Sequence, residues 1–231
     1  MTAPKPFTGT ALKRIACVTM LLDHIGAAFL PESLLLRCIG RLAFPIYCFL
    51  LSEGSHYTRD PGKYALRLTF LALLSEVPFE LAFYGGYTPY RQNVMLTLLT
   101  GFLALETMKQ CPNLLLKGLI AMPFVLVGRY LRSDYGYRGI MLIVLFGLTR
   151  QLPYRHLLQL LGMAAIFGPM PSAALLHIGS FTLKMQQLAL IAMVPIALYS
   201  GEKRTHNKVL QWGFNLFYPV HLAIIALIKT L

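Results

Sequence analysis

Apolar residues along this chain come in long runs separated by short polar stretches. The runs cover about residues 11–30, 34–52, 64–84, 93–108, 117–131, 140–150, 156–169, 186–200 and 209–229. A helix needs roughly 20 residues, at about 1.5 Å each, to cross the hydrocarbon core of a bilayer. The pattern predicts an all-α fold, a polytopic transmembrane helix bundle of about nine spans, with eight or ten as alternatives. The sixth run is short and starts inside the preceding loop or is re-entrant. The stretch from Pro169 to Lys184 reads either as an interfacial helix or as part of a span. Pro31-Glu32-Ser33 and the Gly-rich segment from Gly85 to Tyr90 predict turns. Residues 1–10 read as a short tail and 11–231 as one transmembrane helical domain. No repeat of fixed period is visible.

Composition agrees with the pattern. Of 231 residues, 56% are hydrophobic and 13% charged, and mean hydropathy is +0.60; soluble domains carry about 25% charged residues. The first run has a charged centre and no small-residue cleavage site after it, so it reads as a retained span rather than a signal peptide. The net charge of +12 would suggest nucleic acid in a soluble protein. Here no basic stretch is interleaved with aromatic residues, so nucleic acid is not expected as a partner. The bilayer is, because basic loops fix orientation. With the N-terminus cytoplasmic, 13 Lys and Arg fall inside and 6 outside, which favours that orientation. Cys17, Cys38, Cys48 and Cys111 show no C-x-x-C spacing, so they read as packing residues and no metal site is expected.

The acidic residues are placed unusually. Asp23, Glu76 and Glu80 fall inside apolar runs, where an ionisable group costs at least about 2.5 kcal/mol and marks a partner, a cavity or a function. Asp23 adjoins His24 near the middle of the first run. Arg37 and Arg41 lie one turn apart on one helix face, as do Glu76 and Glu80. Asn93 opens the fourth run, Asp134 and Tyr135 occupy a polar Gly-rich wedge before the sixth, and Tyr218 and His221 lie within the last. Counted from the basic ends, these residues gather at one depth, which predicts a polar cavity. Structural alternatives stand beside this one. Arg37 and Arg41 could pair with Glu76 and Glu80, and His221 could be a core histidine. Asp23 and His24 point about 100° apart on a helix, so one faces the cavity while the other fixes a neighbour. His56, His156, His177 and His206 read as ordinary loop or span-end residues, and Pro45, Pro78, Pro123 and Pro195 as helix kinks.

Five motifs in this order carry a resemblance: Asp23-His24; Gly40-Arg41-Leu42-Ala43-Phe44-Pro45; Asn93; Asp134-Tyr135-Gly136 with Gly139; and Phe217-Tyr218-Pro219 with His221. From about Leu12 to Leu222 the chain resembles the TraX family of conjugal-transfer membrane proteins. The resemblance implies a multi-pass protein of the bacterial inner membrane that moves an acetyl group from acetyl-CoA. The implied acceptor is a pilin N-terminus, or a sugar or other small molecule. The chain is also similar to the larger group of membrane acyltransferases, in which a basic residue some ten positions ahead of a catalytic histidine is common; Lys13 and His24 match. On that reading His24 is the base, oriented by Asp23 or His221, with Asp134 in the catalytic set. Arg41, Asn93 or Tyr218 would supply oxyanion donors. Arg37, Tyr135, Glu76 and Glu80 would line the donor or acceptor site. Two other classes fit the same residues. A proton-coupled transporter also needs buried Asp, Glu and His, and a non-catalytic assembly partner of a conjugation or secretion system needs none of them to react.

Overall fold

A computed structural model describes residues 6–86, 88, 91–178, 181–201 and 208–231. The chain is predominantly helical, all-α but for one hairpin. Its helices are α1 (Gly9–Phe29), α2 (Leu34–Gly40), α3 (Ala43–Tyr57), α4 (Pro61–Tyr84), α5 (Val94–Met108), α6 (Leu114–Tyr130), α7 (Gly136–Thr149), α8 (Arg155–Phe167), α9 (Met193–Ala197) and α10 (Lys208–Thr230).

Helix starts follow local chemistry. The Thr8, Asp60, Asn93 and Asn113 side chains each accept a backbone N–H in the first turn of α1, α4, α5 and α6, which satisfies donors that a helix leaves open. Pro61 occupies the first turn of α4, and Gly85, at φ +71°, ends it in the left-handed region that glycine adopts without strain. The tail is shorter than expected, because Thr8 caps α1 two residues earlier; its first five residues lie outside the described ones. The basic loop expected from Glu202 to Lys208 also lies outside them, apart from the Lys208 backbone, as does most of the turn after Gly86.

Two expectations are corrected. The Pro169–Lys184 stretch is neither an interfacial helix nor a span. It holds an antiparallel hairpin, β1 (Ala174–Ile178) and β2 (Phe181–Lys184), with His177 opposite Thr182. The eighth run is mostly a 3-10 helix, Met185–Ala192, leading into the short α9. Leu34–Tyr57 and Val209–Thr230 are long and apolar enough to cross a membrane. The 15 residues of α5 rise only about 22 Å, because the apolar run it fills is itself that short. The second run is broken as well, at Arg41-Leu42, between α2 and α3.

The chain forms two compact units. One comprises residues 1–50 and 156–214, the other 51–155 and 215–231, so α3 and α10 contribute to both. In the first unit α1 and α2 form a helical hairpin around Pro31-Glu32-Ser33, and α2 packs on the 3-10 helix. The Cys17 thiol bonds the Tyr47 hydroxyl (3.1 Å), and the Phe49 ring meets the Tyr199 ring edge-on. In the second unit α5 is central, packed against α4, α6 and α7. Gly101 on α5 faces Ile143 of α7 so tightly that any side chain would overlap it. Phe102, Ile140, Leu142, Ile143 and Phe146 are fully buried there.

Candidate functional site

In the first unit the charged site is built on the α1–α2 hairpin. Gly26 on α1 lies against Leu36 and Arg37, and Gly40 on α2 against Asp23. With no side chain at either position the two helices approach closely, and Asp23 is pressed between the two arginines of α2. Asp23 Oδ1 accepts from Arg41 Nη2 (2.5 Å) and pairs with Arg37 Nη1 (3.0 Å). Arg37 Nη1 also donates to the Asp23 carbonyl (3.1 Å). Arg41 is the more enclosed of the two, with its side chain 9% exposed against 28% for Arg37. Its Nε donates to the Arg37 carbonyl (3.1 Å) and its Nη1 to Gln186 Oε1 (3.2 Å). Gln186 Nε2 is buried with no hydrogen-bond partner among the described residues.

Asp23 is thus a carboxylate partner of both arginines, across the α1–α2 hairpin. Two guanidinium groups share one carboxylate, so the group keeps a net positive charge. His24, the next residue on α1, is half-buried. The break in the helix at Arg41-Leu42 falls at this charged group.

In the second unit the polar site joins the N-terminal ends of α5 and α7 to α4. Asn93 is fully buried and caps α5 by accepting from Met95 N–H (2.9 Å). Its Nδ2 donates to the Ala72 carbonyl (2.9 Å) and to Glu76 Oε2, and its backbone N–H also reaches Glu76 Oε2 (3.3 Å). One turn along α5, the buried Thr97 hydroxyl bonds Ser133 Oγ (2.7 Å) and donates to the Asp134 carbonyl. Gln92 and Ser133 pair as an isolated β-bridge, which fixes the wedge against the start of α5. Tyr135 sits at φ 61° and opens α7. A bulky residue held in that region marks a strained turn, over-determined by its surroundings. The buried Tyr218 phenol lies within electrostatic reach of Asp134 and Glu76 and beside the Val94 backbone. Glu80 is 2% exposed, and Oε1 of both Glu76 and Glu80 is buried without a hydrogen-bond partner among the described residues.

His221, one turn further along α10, is 5% exposed. Its Nδ1 lies 2.6 Å from the Phe217 carbonyl, and its ring stacks on Phe217 and meets Tyr218 edge-on. A carbonyl only accepts, so Nδ1 carries the proton and Nε2 the lone pair of the neutral ring.

The predicted residues therefore fall into two groups: Asp23, Arg37 and Arg41, bonded to one another in one unit, and Glu76 and Asn93, bonded to each other in the other unit, with Asp134 held by Thr97 and Tyr218 within electrostatic reach. Sequence reasoning missed Gln186, Thr97 and Ser133. Thr97 could have been found one turn after Asn93. Gln186 is a lone amide in an apolar run with nothing local to mark it.

The TraX protein family model matches residues 8–229. The chain belongs to the TraX family. A probable fimbrial assembly protein, FimC, of Dichelobacter nodosus is 30% identical over 96% of both chains. An uncharacterized protein of Rickettsia prowazekii is 47% identical over 38 residues, covering 16% of this TraX-family chain and 15% of its own length. No solved structure matches. Family and relative together support a pilus-related role and a membrane location for this TraX protein.

Proposed function

We propose that this TraX-family protein is an integral membrane acyltransferase. It moves an acetyl group from cytosolic acetyl-CoA to an amine or hydroxyl, either a pilin N-terminus or a sugar or other small molecule. The observation that carries this reading is the charged group on the α1–α2 hairpin. Two arginines share one carboxylate, and the half-buried His24 is the next residue along α1, within otherwise apolar helices.

His24 takes the proton from the acceptor N–H or O–H. The acceptor N or O forms a bond to the acetyl carbon. As the C–S bond breaks, CoA leaves as thiolate and takes the proton back from the imidazolium. Arg37, the more exposed arginine, faces the charge that develops on the acetyl oxygen; Arg41, enclosed and bonded to Gln186, positions Asp23 and α2. Preorganised donors in a site with little water are worth far more than in solution. His221, with its Nε2 lone pair, is the second candidate base.

Multi-pass insertion in a bacterial inner membrane, with the N-terminus cytoplasmic, belongs to the same proposal. It is supported by the apolar stripe of α4, where Leu66, Phe70, Leu73, Val77 and Leu81 are exposed at three- and four-residue spacing. Exposed apolar patches of that extent mark a membrane or partner surface.

Purified protein given labelled acetyl-CoA and a pilin-like peptide should transfer the label. His24→Ala should abolish transfer with the helical circular dichroism retained, whereas His221→Ala should only reduce it. Full transfer by the His24 variant rules out this base. A second reading, a non-catalytic assembly partner, is favoured by the Dichelobacter relative, a probable fimbrial assembly protein. It requires pilus assembly to survive both histidine substitutions.

A further inference from the structure

The second unit holds a further polar cavity at the C-terminal ends of α3, α5 and α7. Asn93 and Asp134 lie at the opposite ends of α5 and α7, about 20 Å away along the helices. The cavity measures about 150 Å³ and is lined by Ser52, Ser55, His56, Lys109, Lys117 and Arg150 among others.

Its charges are arranged unevenly. Arg150 Nε donates to Glu53 (2.7 Å), and its Nη2 reaches the Tyr57 hydroxyl (3.1 Å). Lys109 Nζ donates to Glu106 (2.6 Å) and to the Ser55 carbonyl (2.6 Å), while Ser55 Oγ donates to the same Glu106 oxygen (2.6 Å). These two pairs cancel in charge and pin the walls. Lys117, half-buried on the first turn of α6, has no carboxylate partner among the described residues. His56 lies against the same wall, close enough to feel both Arg150 and Lys109. Arg150 offers five N–H donors, and its described bonds leave Nη1 unspent. The cavity therefore presents a surplus cation, an imidazole, the Ser52 hydroxyl and a spare guanidinium nitrogen, with both neighbouring carboxylates already neutralised.

We infer that this cavity binds a phosphate group. Phosphate oxygens only accept hydrogen bonds, and a lining of donors around a surplus positive charge matches them. An ion-paired frame holds the donors in place before the ligand arrives, which lowers the ordering cost of binding. The phosphate could come from a soluble phosphorylated molecule or from an anionic lipid headgroup. The inference does not rest on acyl transfer, although the donor proposed above carries such groups.

The test uses the full-length protein. Titration calorimetry in a neutral detergent with pyrophosphate and with CoA reads the soluble arm. Retention of phosphatidylglycerol over phosphatidylcholine, read by native mass spectrometry from mixed nanodiscs, reads the lipid arm. Lys117→Ala should weaken whichever binding is seen by on the order of tenfold, the worth of one charge-assisted contact, and Lys117→Glu by more. His56→Gln should weaken it less. Among the described residues the Lys117 side chain has no hydrogen bond or ion pair, so these variants should keep the wild-type circular dichroism. Saturable pyrophosphate or CoA binding that the Lys117 variants lose supports a soluble source. Phosphatidylglycerol retention that they lose, without soluble binding, supports the lipid source. No binding in either arm, or equal binding by wild type and both Lys117 variants, overturns the inference.

Discussion

Gly40 lies directly over Asp23, so that a Cβ on Gly40 would overlap the Asp23 side chain. This one contact sets the spacing of the α1–α2 hairpin, and with it the placing of a carboxylate between two arginines. Gly40→Ala should destabilise the protein by about 1–3 kcal/mol, the usual cost of overpacking a tight interface. Gly118→Ala on α6, where nothing lies within 4 Å of the added atom, should be neutral or slightly stabilising, because alanine favours a helix. Unfolding of both variants in mixed micelles measures the difference. Equal effects would mean that the Gly40 contact does not constrain the hairpin.

Asp23→Asn tests the ion cluster. It removes the carboxylate charge that pairs with two partly enclosed guanidinium groups. Breaking such a pair costs about 3–5 kcal/mol when it is fully buried, and the partial exposure of Arg37 reduces this to roughly 2–3 kcal/mol. Adding Arg37→Gln to Asp23→Asn should recover part of the loss, since one unpaired charge goes with it. No recovery in the double variant would show that the arginines do not depend on Asp23.

Asn93 and Glu76 should be strongly coupled. Asn93→Ala removes the α5 cap and the Nδ2 donor to Glu76 Oε2, leaving that oxygen only the backbone N–H of residue 93; the two losses are together worth about 2–4 kcal/mol. Glu76→Gln changes only one end of the contact. A double-mutant cycle should return a coupling of at least about 1 kcal/mol; additive effects would mean that the two side chains act independently.

Asp60 provides a pH handle outside the apolar helices. The Lys63 backbone N–H, and then its ammonium, hold the Asp60 carboxyl below the usual carboxylate range. A depressed folded-state pKa adds stability that is complete above the unfolded value, about 3.9. That stability is lost as pH falls through the folded value. Asn at this position still caps the helix but does not titrate. The melting temperatures of wild type and Asp60→Asn should therefore converge as pH drops from about 6 to 3, and a constant gap would remove the carboxylate from the account.

Much of the fold is legible in the residues. Thr8, Asp60, Asn93 and Asn113 announce helix starts, because their side chains complete hydrogen bonds that the backbone cannot. Each apolar run up to α8 became helical near its expected place, the second as two helices, α2 and α3. The hairpin at Ala174–Lys184 was not legible, because its pairing joins strands whose short apolar runs also suit a helix. Nor was the 3-10 helix before α9. In the candidate site, Asp23, Arg37, Arg41, Asn93 and Glu76 stood out because charge or amide within an apolar run is costly. Their partners did not, since Asp23–Arg41 and Asn93–Ala72 join residues 18 and 21 positions apart.

The order of residues alone determined where helices begin, which segments are apolar and which few polar groups need a reason to be there, because those follow from spacing, capping and desolvation cost within a single turn. Tertiary structure alone decided which partner each polar group found. Helix approach at Gly40 gave both arginines to Asp23, and the Gln92–Ser133 bridge brought Asp134 to the start of α5. Such choices depend on the distance between distant helices, which no local pattern encodes.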